Sequence, residues 1–284
     1  MPGETATAQA ESQPNGRVTR KKSSAVLAFT PNAAMPSQAM IAMTWIQIAA
    51  AVSFWFLSPS AILPGPVELA KALQKLWFED ALGREILTSL ILNVEAMAIA
   101  AVISLLLAYS STMPFFRPLV RFIANFRFLG LAGLSLIFTV YTSGSHSLKV
   151  SILVFSVSVY YLTSLVRIIM AIPESEKDYF RTLGMSEWQV VYATVIRGRA
   201  AEMWEALRQN SAMAWMMLTT VEGLSKSEGG VGVLMLLSQR LRRLDEVYAV
   251  QLTLWCLGLT QDYLFARGRL ALFPWADKRT RGGK

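Results

Sequence analysis

Apolar positions in this chain come in long runs separated by short polar stretches, and the lengths of the runs carry the first inference. A helix crossing a bilayer needs about 20 apolar residues, with roughly 17 to 25 tolerated. Runs of that size cover 39–58 (AMIAMTWIQIAAAVSFWFLS), 87–109 (LTSLILNVEAMAIAAVISLLLAY), 122–142, 149–171 (KVSILVFSVSVYYLTSLVRIIMA), 208–224 and 246–266. Asn125 and Arg127 interrupt the third, leaving only FLGLAGLSLIFTVYT cleanly apolar, and the fifth is short and rich in Ala and Met. In lipid the backbone must satisfy its own hydrogen bonds, which helices do. The pattern predicts an all-α, polytopic membrane protein with about six transmembrane helices.

Between the runs, three segments have helical rather than continuous apolarity. Residues 64–77 (PGPVELAKALQKLW) place Pro66 as a first helical residue and Val67, Leu69, Leu73, Leu76 and Trp77 in approximate helical register, predicting a short surface helix. A glycine turn at 229–232 leads into a Leu-rich helix with an Arg face. The third segment is the most informative. Pro173 opens a helix whose first turn carries Glu174 and Glu176, followed by Asp178, all at the end where a helix dipole favours negative charge. Gly184 stands where that helix needs a left-handed residue to stop. Ser186 with Gln189 three residues on has the spacing of a capping box that starts a second helix. Residues 173–200 therefore read as helix, sharp turn, helix.

On that pair, Tyr179, Phe180 and Leu183 form one apolar patch and Trp188, Val191 and Val195 another. An amphipathic pair outside the bilayer must bury such a patch against its own membrane domain, the headgroups, or a groove of another protein. Periodicity leaves all three open.

Composition agrees with a membrane protein: 54% of residues are hydrophobic and 16% charged. The net charge of +8 does not point to nucleic acid, because Lys and Arg are spread between apolar segments instead of gathering on one face. Their distribution instead orients the chain. With the N-terminus inside, 19 Lys and Arg fall on the cytoplasmic side and 8 on the other. Both termini and the 173–200 segment are then cytoplasmic. Residues 1–37, with Arg17, Arg20, Lys21 and Lys22, read as a disordered basic tail, 38–266 as the membrane domain, and 267–284 as a second basic tail.

Little chemistry is available to the chain alone. The lone Cys256 excludes an internal disulfide and a multi-cysteine metal site, and the lone His146 excludes a histidine cluster. The GGVG turn has no preceding strand and no following Lys-Ser, so it is not a phosphate loop, and the chain is expected to bind no ATP, metal or other cofactor itself. Two carboxylates stand within apolar runs. Glu95, about 14 Å below the outer edge at about 1.5 Å per residue, reads as either translocation path or vestibule wall. Glu222, near the end of the fifth run, reads as a gating or substrate-path residue or as a solvated span end.

The run Ile172-Pro173-Glu174, then Asp178-Tyr179-Phe180-Arg181-Thr182-Leu183-Gly184-Met185-Ser186-Glu187-Trp188-Gln189, resembles the cytoplasmic loop of ATP-binding-cassette importer permeases. Ala206-Leu207-Arg208, Ala214-Trp215, Glu222, the glycines 229, 230 and 232, Leu63-Pro64-Gly65-Pro66 and Leu272-Phe273-Pro274-Trp275 look like the nitrate, sulfonate and taurine class, so that the resemblance covers roughly 60–276. It implies that the segment is a coupling loop docking on a separate ABC ATPase subunit through Glu176, Asp178, Tyr179, Phe180, Arg181, Leu183, Gly184, Ser186 and Trp188. It further implies a second permease copy or homologue, an extracytoplasmic solute-binding protein, a bacterial cytoplasmic membrane, and ATP and magnesium held by the partner. Two departures mark a divergent member: Tyr179-Phe180 replace the family's Ala-Ala, and Ile196-Arg197 replace its Leu-Pro. The alternative reading is an autonomous secondary transporter or channel whose helix pair lies on the headgroups; a non-transporting membrane scaffold is a third.

Overall fold

The computed structural model describes residues 37–57, 64–225 and 229–275, so the basic tail at 1–36 and the last nine residues lie outside the described residues. Among those residues the chain forms eleven α-helices and no strand. The first, α1 (Ser37–Leu57), belongs to a separate compact unit, is mostly apolar and carries no charged residue. The second unit holds α2 (Pro66–Phe78), α3 (Leu82–Ser110), α4 (Arg117–Ala124), α5 (Leu131–Tyr141), α6 (Ser145–Met170), α7 (Glu174–Thr182), α8 (Glu187–Val191), α9 (Ala200–Leu224), α10 (Val231–Arg240) and α11 (Leu244–Leu272).

Among the described residues three helices, α1, α3 and α6, are long and apolar enough to cross a membrane. The predicted third span is broken: Arg117–Phe128 and Gly133–Tyr141 make a bent pair at 115°, a fourth crossing only if the two halves count as one. A 3₁₀ turn over Asn125–Phe128 leads into extended backbone at Leu129 and Gly130, so the break falls beside the polar residues that interrupt the run. The predicted fifth and sixth runs lie inside α9 and α11, helices of 25 and 29 residues. Both carry charged residues along their length, among them Glu202, Glu205 and Arg208 on α9 and Asp262, Arg267 and Arg269 on α11, which dilutes their hydropathy.

The bundle is built around α3 and α6, the pair with the most extensive packing, with α9 against α6 and α11. Close approach of α3 to its neighbours follows from Ala96, Ala100, Ser104 and Ala108, four small residues at four-residue spacing, all fully buried. Small residues on one stripe let backbones approach and dispersion contacts accumulate where lipid offers no hydrophobic drive between helices. Ser104 then donates to the Ser158 carbonyl of α6 at 3.0 Å. The interior is also rich in polar groups, including Ser89, Asn93, Lys149, Asn210, Glu222 and Glu246, while Leu87, Ile91, Val102 and Leu106 of α3 face outward. Apolar outside and hydrogen-bonded inside is the distribution a lipid solvent selects.

The predicted surface helix is α2. Pro66 is its first residue, and Glu68 reaches back to the Gly65 N–H at 3.0 Å. Leu69, Ala72 and Leu76 are buried while Val67 and Trp77 remain exposed, and Lys75 pairs with the buried Glu246 of α11 at 2.8 Å.

Candidate functional site

The helix pair α7–α8 forms as its local signals require. Pro173 is the residue before the helix, with extended ψ of 144°, and Glu174 is the first helical residue, one position later than the sequence reading places the start. At the other end Gly184 takes φ of +78°, the Met185 N–H donates to the Phe180 carbonyl at 3.3 Å, and the Gly184 N–H donates to the Arg181 carbonyl at 2.9 Å. Those two bonds make a Schellman stop, whose left-handed residue is most cheaply glycine. Gln189 reaches back to accept from the Ser186 N–H at 2.8 Å, fixing the start of α8.

A charged clamp sets the angle between the two helices. Arg181 donates through Nε to Glu187 Oε1 at 2.8 Å and through Nη2 to Oε2 at 3.1 Å, and its Nη1 bonds Asp178 at 2.7 Å. The two-pronged bond holds a fixed relative orientation that a single contact would not. The Glu187 and Asp178 carboxylates raise the Arg181 pKa, and the guanidinium lowers that of Glu187.

The root of the pair is anchored in the bundle. Glu176 accepts from Arg199 Nη2 at 2.6 Å, and Arg199, just before α9, also bonds Glu202 at 3.0 Å. Ile172 and Val195, at the two ends of the segment, are buried with Ala108, Val120, Tyr161, Leu165 and Met203. The Tyr161 hydroxyl donates to the Met203 carbonyl at 3.0 Å, tying α6 to α9 at the same level. Between α8 and α9 the chain makes a π-helical turn over Tyr192–Arg197, and at Gly198 a Cβ would sit 2.6 Å from the Thr194 carbonyl oxygen.

The two predicted apolar patches are rearranged. Val195 is buried and Val191 half-buried, both turned toward the bundle, and Phe180 is half-buried with its ring edge-on to Tyr179 at 5.5 Å. Tyr179, Leu183 and Trp188 point outward at 60%, 59% and 65% exposure, joined by Tyr192 at 58%. An ion-paired elbow thus presents an exposed aromatic and aliphatic tip. Of the residues that sequence selects, Glu176, Asp178 and Arg181 fix the geometry, Gly184 and Ser186 turn it, and Tyr179, Leu183 and Trp188 form its free surface.

The two acids that sequence places within apolar runs part company. Glu95 is half-exposed on α3, 3.1 Å from His146 Nε2 in the first turn of α6, a contact between two residues that sequence treats separately. Glu222 is fully buried on α9. It accepts from the Ser89 hydroxyl at 2.6 Å and from the Gly232 N–H at 2.7 Å, while Ser89 accepts from the Val231 N–H at 2.8 Å. The Gly230 N–H donates to Glu85, and Lys149, buried on α6, donates to the Gly229 carbonyl at 3.1 Å. The glycine turn is therefore a latch joining α3, α6 and α9 around one carboxylate. Gly230 has φ of +116°, and a Cβ there would meet the Glu222 carboxylate.

Ser89, Lys149 and Arg199 carry no local sequence signal, because their partners are distant along the chain. Nor does Gln261 of α11, whose Oε1 accepts from Asn93 at 2.9 Å and Trp215 at 2.7 Å, or the bond that Arg208, paired with Glu205, makes to Asp262. Both tie α9 to α11. Among the described residues no three His, Cys, Asp or Glu side chains are grouped as a metal ion would require.

The class these features define is an all-α protein with apolar helices of membrane-spanning length, that is, a membrane protein. No protein-family model matches the chain, and the search of curated proteins finds no match.

Proposed function

We propose that this chain is the permease subunit of an ATP-driven importer in a bacterial cytoplasmic membrane, driven by a separate ATPase that docks on the α7–α8 elbow. The carrying observation is mechanical. The elbow is stiffened by the Arg181 clamp, rooted in the bundle by Glu176–Arg199, and tipped by uncovered apolar side chains. Force applied at Trp188 or Leu183 reaches α9 through an ion pair instead of being lost in a loose loop.

In this reading six helices cross the bilayer. At about 1.5 Å per residue, α9 and α11 span the hydrocarbon thickness in spite of their charges, and the bent α4–α5 region counts as one crossing. The Lys and Arg bias of 19 to 8 supports a cytoplasmic position for both termini and the elbow. The pore lies between two permease copies or homologues, and an extracytoplasmic binding protein delivers a small solute of the nitrate, sulfonate or taurine kind. ATP binding closes the ATPase pair, the elbow follows, and access alternates.

Ser186 stands at the bend, exposed, and tests the docking directly. With Cys256→Ala as background, Ser186→Cys carrying a short bifunctional crosslinker is expected to capture an ABC ATPase in stoichiometric yield from membranes of the native cell. Capture of lipid alone, with no ATPase retained in mild detergent, would favour an autonomous carrier and sink the importer reading.

A further inference from the structure

A cavity of about 360 Å³ opens at the elbow end of the bundle, where the C-terminal ends of α3 and α6, the short helix α4 and the root of the elbow meet. That volume lies within the range of small-ligand sites, about 300–1,000 Å³. Its wall carries Arg117, Arg121, Lys177 and Arg181 against two carboxylates, Glu174 and Glu187. Both carboxylates are occupied: Glu174 by Lys177 at 2.8 Å and Glu187 by the Arg181 fork. Lys177 and Arg181 are accordingly neutralised. Arg117 donates only to the Ser111 and Thr112 carbonyls, at 3.3 and 3.4 Å, and Arg121 has no hydrogen-bond or ion-pair partner among the described residues. Two guanidinium charges thus stand one turn apart on α4 without a counterion, a spacing at which like charges repel.

The surroundings indicate what kind of anion compensates them. Val120 of α4 is buried, whereas Leu119 and Phe122, with Phe115 and Phe128 on either side, are exposed. A short basic helix with exposed aromatic residues is the pattern of a segment lying in the bilayer interface, its rings among the acyl chains and its cations at the phosphates. Guanidinium planes match phosphate oxygens in paired hydrogen bonds.

We propose that Arg117 and Arg121 form a binding site for a phosphate-bearing anion in this cavity, supplied by the headgroup of an anionic phospholipid or by free phosphate. The site rests on the reading above only in placing α4 at the edge of the bilayer. It would put a lipid headgroup between α4 and the root of the elbow, so that lipid composition bears on the stiffness of that root.

The full chain in mild detergent, titrated with phosphatidylglycerol, phosphatidylcholine or inorganic phosphate and examined by native mass spectrometry, tests it. Phosphatidylglycerol is expected to be retained over phosphatidylcholine, with Arg121→Gln weakening it about fivefold and the double Arg117→Gln, Arg121→Gln variant about thirtyfold. Arg121→Lys, which keeps the charge but not the paired hydrogen bonds, should fall between wild type and Arg121→Gln. Because Arg121 has no bonding partner among the described residues, its single variant reads the site even where the double variant unfolds. Displacement of the lipid by inorganic phosphate at matched concentration assigns the site to the free anion; resistance to phosphate assigns it to the headgroup. Equal retention of both lipids without phosphate binding, or equal phosphatidylglycerol affinity in wild type and Arg121→Gln, overturns the proposal. No ATPase takes part, so this outcome and the crosslinking outcome at Ser186 are independent.

Discussion

Glu222 has each carboxylate oxygen in a hydrogen bond inside the bundle, one from Ser89 and one from Gly232, and no exposed surface remains to it. An amide in its place offers one acceptor oxygen for two donors, so either the Gly232 N–H or the Ser89 hydroxyl loses its acceptor there, at a cost of about 1–3 kcal/mol. Glu222→Gln is therefore expected to lower the thermal unfolding midpoint in detergent, and Gly230→Ala to lower it further, since that Cβ meets the same carboxylate and the backbone is left-handed. Equal midpoints for wild type and both variants would dissolve the latch. Trp188 is the opposite case. At 65% exposure its replacement by Ala should leave stability within about 0.5 kcal/mol while strongly reducing retention of the proposed ATPase partner, measured side by side on one preparation. Loss of stability without loss of retention would make it a packing residue.

The elbow is held by two devices that can be tested apart. Gly184 has open space around it, so Gly184→Ala meets only the left-handed backbone penalty, about 1 kcal/mol. Hydrogen exchange should rise in peptides covering α7 and α8 and stay unchanged in α3 and α6; exchange rising everywhere would contradict a local role. The Arg181–Glu187 clamp has a pH signature. Glu187 titrates lower folded than unfolded, so its contribution is present above the unfolded carboxylate range and is lost as pH falls through the lower folded value. Local protection of the elbow, corrected for intrinsic exchange, should therefore hold at neutral pH and fall only below about 4.5, and Glu187→Gln should remove that step. Much of this element is legible in sequence, because a proline start, a left-handed glycine and a Ser-to-Gln spacing are local signals. What is not legible is which face turns inward. Val195 and Trp188 look equivalent by periodicity, and only the packing of Ile172, Tyr161 and Met203 separates them. The stripe of Ala96, Ala100, Ser104 and Ala108 could be found by its spacing, yet it is hidden in a run where every position is compatible with a membrane helix.

At the scale of the molecule, long-range polar contacts decide how the helices hold together, and these are the part sequence conveys least. Lys149 reaches Gly229, Asn93 reaches Gln261, and Arg199 reaches Glu176, pairs whose members show nothing in the sequence to match them. The Arg199 contact matters most, since it is the one ion pair among the described residues that joins α7 to the residue preceding α9. Its removal should uncouple the elbow without displacing a bound partner, because the outward tip is untouched. The most direct measurement on the proposed importer is a spin-label distance between α10 of two copies of the chain, reconstituted with the proposed ATPase partner, before and after trapping ATP. A nucleotide-dependent change is expected in the unmodified protein and its loss in Arg199→Ala, with the proposed ATPase still bound in both. The same change in both proteins would contradict the claim that motion enters the bundle through this elbow.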